Sequence, residues 1–119
     1  MIYIKLSFQP PEGSAGCANA CFVRIRKGKE GDKGLLAHEL KHVEQFWNDP
    51  IAHSYRYRFD KHYRLDCEVE AYRVQLYTPH PRLSIEDRRE MYATWLSDPS
   101  SVTGYGLTLT KKEALRLLS

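Results

Sequence analysis

His38-Glu39-Leu40-Lys41-His42 brings two imidazoles and a carboxylate into five residues. On a helix, positions i and i+4 lie above one another, so His38 and His42 point the same way and can grip one zinc ion. Glu39 is turned by about 100° from His38. It can reach a water held at such an ion without being a ligand. H-E-x-x-H in this order suits hydrolysis, with Glu39 as the catalytic base.

A catalytic zinc takes three protein ligands and keeps one open position. Candidates for the third lie in Cys67-Glu68-Val69-Glu70-Ala71-Tyr72. Glu68 and Glu70 point different ways on a helix, so one of them faces the metal. Glu68 shares its face with Ala71, Tyr72 and Gln75, and the small Ala71 lets two helix backbones approach. Glu68 is therefore preferred, Glu70 is the alternative, and His62 and Cys67 follow. Amide hydrolysis also needs a donor for the developing oxyanion. Tyr55, Tyr57, His62, Tyr63 and Tyr72 are candidates, and the sequence does not choose among them.

The elements that must hold these residues follow from periodicity. Ile2 to Phe8 and Ala20 to Lys27 alternate in polarity and read as strands, expected to pair as a small antiparallel ribbon. Pro10 to Ser14 reads as loop. Gly28 to Gly34 is a glycine-rich turn without the order of a phosphate loop. Leu35 to Trp47 reads as a helix capped by Asp32, with Leu36, Leu40, Val43 and Trp47 as its apolar stripe. Asp49-Pro50 ends it. Ile51 to His62 fits strand or helix. Asp66 is expected to cap a helix running to Tyr77 and burying Val69, Tyr72, Val74 and Leu76. Ser84 caps Ile85 to Leu96. Asp98 to Gly106 is turn-rich and expected to be exposed, and Thr110 with Glu113 forms a capping box for a last helix through Leu118. The fold class is α+β, with the ribbon packed on a core of helices.

His38 to His42 followed by Glu68-x-x-Ala71 resembles the gluzincin pattern of small zinc peptidases. The similarity runs from Leu35 through Gln75. It is to the compact minimal gluzincins of phages and bacteria and to the metallopeptidase domain that cleaves phage repressors. The resemblance implies a zincin-like fold, one zinc per chain, Glu68 as third ligand, Glu39 as base and an upstream strand bordering the cleft. Tyr72 stands where that family usually carries Asp or Asn. Support for a metal histidine is then expected from a phenol or from elsewhere.

The 119 residues fit one domain, too small for a separate substrate-binding domain, so a peptide or protein substrate is expected to lie across an open groove. A strand edge near Phe22 to Arg26 is the expected place for it. The net charge of +3 is modest. Arg56, Arg58, Lys61, His62 and Arg64 form the best basic stretch, yet no nucleic-acid module accompanies it. Cys17, Cys21 and Cys67 make an odd count, which argues against a disulfide framework and for a reduced, cytoplasmic setting. Ala18-Asn19-Ala20 resembles a cleavage site without the apolar segment that should precede it, and no run is long enough to span a membrane. Ser7, Ser14 and Ser54 lack a nucleophile-elbow context. Two other readings stand beside the peptidase: a metal-binding domain that acts by binding a partner protein, and a basic nucleic-acid-associated module with structural zinc.

Overall fold

Local capping sets the helix boundaries. In the computed structural model, which describes residues 1–101 and 104–119, the elements are β1 (Ile4–Lys5), β2 (Gly16–Asn19), β3 (Phe22–Ile25), α1 (Lys33–Asn48), α2 (His53–Phe59), α3 (Lys61–Tyr77), α4 (Ile85–Leu96) and α5 (Lys111–Leu117). Asp32 accepts the Leu35 N–H at 3.0 Å and starts α1. Ser84 does the same for α4, and Thr110 with Glu113 closes a full capping box on α5. Asp60, not Asp66, caps α3: its carboxylate accepts the Tyr63 N–H at 3.1 Å. The helix therefore starts six residues earlier than expected. Asp66 lies inside it on the exposed face, 3.7 Å from His62 one turn back.

The ambiguous aromatic segment is helical. Tyr55 and Phe59, one turn apart on α2, lie 4.9 Å apart and face solvent, while Tyr57 turns inward. Asp60 is both the end of α2 and the cap of α3. Arg64 reaches back to accepting carbonyls of Tyr57 and Arg58, satisfying the end of α2.

The sheet is mixed, in the order β1-β3-β2. β3 forms a hairpin with β2, pairing Asn19 with Phe22 and Gly16 with Ile25, across a turn at Ala20 and Cys21. The two segments expected to pair antiparallel, β1 and β3, instead run parallel, with Ile4 opposite Phe22. The physical reason is the hairpin. Residues 16–19 take β3's antiparallel partner position through a two-residue turn, leaving the far edge to β1. Ile2, Ile4 and Phe8 are consequently exposed.

Two apolar clusters flank the junction of α1 with α3. Val23, Ile25, Leu35 and Val43 join the sheet to α1. Tyr72, Leu76, Tyr92, Ala93, Leu96, Leu107, Ala114 and Leu118 join α3, α4 and α5. Leu107 belongs to this core, so the chain after Asp98 folds back over α3 and α4 rather than lying free. Val102 and Thr103 of that stretch lie outside the described residues. Trp47, expected inside, is 44 % exposed, with its indole N–H donating to the Ile2 carbonyl at 2.8 Å. The buried side of α1 is centred instead on Leu35, His38, Glu39 and Val43. Among the described residues no helix is long and apolar enough to cross a membrane.

Candidate metal centre

α1 and α3 approach closely because small residues line their contact. Ala71 is fully buried, and a Cβ on Gly34 would sit 3.2 Å from Gln75 Cγ. That contact holds polar side chains where hydrophobes would normally sit. His38 and His42 on α1 meet Glu68 on α3. The two Nε2 atoms are 3.2 Å apart, and they lie 3.3 and 3.1 Å from Glu68 Oε1 and Oε2. Four ligands at zinc-type bond lengths of about 2.1 Å define tetrahedral edges of roughly 3.4 Å. The three observed separations are of that size, with each imidazole nearest a different oxygen of the Glu68 carboxylate.

The protonation pattern points the same way. Glu68 is 1 % exposed. Burial opposes its charge, yet the His42 charge and the two imidazoles beside it hold its carboxyl well below the usual carboxylate range. Burial would lower His42, but the Glu68 carboxylate overrides it and pushes that imidazole up to about 9. In the absence of metal the proton on His42 is the cation of this site. Glu68 Oε1 remains buried without a hydrogen-bond donor, a cost that a metal ion would remove. Two imidazoles and one carboxylate are a donor set zinc accepts. The buried triad thus fits a metal ion, and among the described residues no other group of three or more such side chains does.

The supporting contacts are specific. His42 Nδ1 donates to Gln45 Oε1 at 2.8 Å. The Gln45 amide nitrogen donates to the Cys67 carbonyl and to Glu70 Oε1, each at 3.0 Å. This chain fixes the Gln45 amide and the His42 ring and aims His42 Nε2 at the triad. Glu70 therefore stands outside the triad and holds Gln45. Tyr72 supports His38 by ring packing, with centroids 4.5 Å apart, while its hydroxyl is 2.5 Å from that of Tyr105. Tyr57 donates its hydroxyl to Glu68 Oε2.

Three other candidate residues lie elsewhere. Tyr55 is exposed on α2. His62 faces Asp66 in solvent. Tyr63 shares a 2.7 Å hydrogen bond with His53 Nδ1 and carries the Arg56 guanidinium 4.1 Å above its ring. Cys67 contributes its carbonyl to Gln45, and burial pushes its thiol up to about 11. Sequence reasoning missed Gln45, Tyr105 and Gly16. Gln45 was within reach, because it follows His42 by three residues on the same helix. Tyr105 had no periodic signal.

Glu39 is buried beside the triad and outside it. Burial holds its carboxyl above the ordinary value, against the pull of His38 and His42. β2 passes close by. A Cβ on Gly16 would lie 3.0 Å from Glu39 Oε2, so glycine lets the strand run past the carboxylate. The site opens to two adjoining clefts of about 420 and 230 Å³ that share Ser14, Gly16, His38, Glu39 and Tyr105. The strand edge expected to hold substrate is not free, since β3 is paired on both sides. β2 is the edge strand that borders the clefts. Comparison with protein-family models, curated proteins and solved structures finds no match.

Proposed function

We propose that this chain is a zinc-dependent peptidase of the gluzincin type, with His38, His42 and Glu68 as ligands and Glu39 as general base. The single observation that carries the reading is the buried meeting of His38, His42 and Glu68 with Glu39 at its rim, open to a cleft. When bound, the ion supplies Lewis acidity for the scissile carbonyl and lowers the pKa of water. Glu39 takes the proton of the attacking water and returns it to the departing amine. Burial raises its carboxyl above the ordinary value, which favours holding the proton it takes.

Tyr105 lines the cleft wall, and we assign it to the developing oxyanion, while Tyr57 spends its proton on Glu68. Burial, reinforced by the Glu68 charge, raises Tyr105 well above the ordinary tyrosine range, so it keeps the proton it would donate. The open edge of β2 gives an extended peptide a main-chain partner. The site-side wall carries Gly16 and Ala18, whose lack of bulk leaves room for a backbone.

The test is zinc-loaded protein incubated with proteome-derived peptides, with new termini read by mass spectrometry. Glu39→Gln is expected to keep one zinc per chain and to lose at least about 100-fold in cleavage rate. Turnover at the wild-type rate in metal-loaded Glu39→Gln would remove Glu39 from the mechanism. A zinc-loaded wild type that cuts no peptide would leave a metal-binding domain.

A further inference from the structure

The two clefts overlap at Ser14 and Gly16 and extend different ways from there. The larger runs along the whole of β2 as far as Ala20 and is walled by Ser54, Tyr57 and Arg58 of α2. The smaller begins at Gly13 to Gly16 and is walled by Leu35, Gln75 and Trp95. The triad and Glu39 sit where they join. A peptide along β2 therefore crosses both, with its reacting bond near Gly16.

The register shows which main-chain groups are free. Arg26 N–H donates to the Ala15 carbonyl at 2.8 Å, and Gly16 lies opposite Ile25. Hydrogen-bonded pairs alternate along an antiparallel ladder, so Ala15, Cys17 and Asn19 spend their groups on β3. Gly16 and Ala18 turn theirs to the open edge. Antiparallel pairing is the commoner and slightly stronger mode of strand addition. It sets the N-terminal part of a substrate at the Arg58 end and its C-terminal part at the Trp95 end.

The two ends differ in chemistry. Apart from the histidines, Arg58 is the cation lining the larger cleft, and it is exposed with no carboxylate partner among the described residues. Its guanidinium lies 5.3 Å over the exposed Phe59 ring, a weak contact that leaves its charge available to a carboxylate. Arg56 stacks on Tyr63, and Arg64 is bound to carbonyls. Besides the His38 and Glu39 that it shares, the smaller cleft has no charged wall among the described residues. Trp95 is 44 % exposed there and rests against Tyr92 with centroids 5.6 Å apart.

We infer that the groove reads its substrate on both sides of the cut: an acidic side chain N-terminal to the scissile bond, held by Arg58, and an aromatic or large aliphatic one C-terminal to it, held by Trp95. This rests on the peptidase reading and adds the substrate class and its polarity. Both residues are specificity-determining and stand apart from the proton-transfer step.

The experiment is the cut-site profile of wild type, Arg58→Glu and Trp95→Ala on the same peptide pool. Wild type is expected to enrich Asp and Glu within three residues before the cut and Phe, Tyr, Trp, Leu or Met just after it. Arg58→Glu should lower kcat/KM for a Glu-bearing peptide by about tenfold relative to its Gln counterpart. Trp95→Ala should lower the Phe-over-Ala preference by about tenfold and leave the acidic preference. Cuts without acidic enrichment, acidic enrichment that survives Arg58→Glu, or acids found after the cut would each overturn the assignment. If no peptide is cut, the peptidase reading fails by itself, and fluorescence anisotropy decides the groove. Tighter binding of a labelled Glu peptide than of its Gln counterpart, lost in Arg58→Glu, supports it; equal binding overturns it.

Discussion

The two sides of the triad are built unequally. Behind Glu68, α3, α4, α5 and the Leu107 segment share, among the described residues, eight buried residues that include Leu96. In front of His38, the sheet and α1 share four. Each fully buried aliphatic side chain contributes roughly 1.5–3 kcal/mol, so the helical side can hold itself together and the sheet side is marginal. The seam between them is mostly polar: His38, His42 and Gln45 face Glu68 and Glu70. Polar seams gain little from burial alone. A metal ion there would bind the weaker region to the stronger one, so the centre would serve stability as well as the proposed chemistry.

Removing the proposed third ligand breaks the comparison most sharply. Glu68→Ala is expected to weaken zinc binding by more than the roughly 100-fold typical of outer-shell changes, taking metal analysis from one ion per chain to none. Hydrogen exchange in this variant, or in chelated wild type, should accelerate in β2, β3 and α1 while α3 to α5 stay protected. Uniform acceleration over both regions would show that they unfold as one unit and that the seam is no boundary.

Core truncations measure the same difference from within. Leu96 is fully buried in the larger cluster and Val43 in the smaller one. Leu96→Ala should cost about 3 kcal/mol by denaturant unfolding whether or not zinc is present. Val43→Ala should cost about 2 kcal/mol, and zinc should recover much of it because the ion ties α1 to α3. Equal zinc rescue of both variants would contradict the asymmetry.

The helical side and the triad were largely legible in the sequence, because both rest on local signals. H-E-x-x-H needs only helical periodicity, and Ser84, Asp32 and Thr110-Glu113 announce their helices through side chains three residues from their partners. The sheet was less legible because pairing is non-local. Nothing in Ile2 to Phe8 says that the hairpin partner of β3 would come from residues 16–19. Asp66 was as good a cap by type as Asp60, and the choice turned on where α2 ended. Tyr105 reaches Tyr72 only because Leu107 anchors its loop in the core, a tertiary fact without a sequence period. Trp47 misled because helical spacing marks a stripe without saying whether anything covers its end.

A smaller effect sharpens the seam itself. Gln45 holds His42 and is held by Glu70 and the Cys67 carbonyl. Gln45→Ala should weaken zinc by about 10- to 100-fold while leaving the ligands in place. Glu70→Gln should weaken it less, since the Cys67 carbonyl still fixes the amide. A Glu70→Gln loss as large as that of Glu68→Ala, measured by competition with a chelator, would make Glu70 a ligand.

The smallest effect is set by pH and separates the proton from the metal as the seam's cation. In metal-free protein, His42 is raised from 6.5 to about 9 by Glu68 once burial is overcome. Its contribution to stability is full below about 6.5 and is lost as pH rises through 9. Glu68 is depressed, so its contribution is present above its ordinary 4.5 and is lost as pH falls toward its folded value. Metal-free protein should therefore be most stable between about 4.5 and 6.5. Zinc has to displace the His42 proton, so its affinity should rise about tenfold per pH unit up to 9 and level off above. The zinc-bound form then gains stability over the metal-free form as pH rises, the opposite trend to the metal-free form alone. Competition titrations at pH 6, 7 and 8 would show one proton released per zinc. A flat affinity over that range would mean that His42 is already neutral and that the buried carboxylate is balanced by some other group.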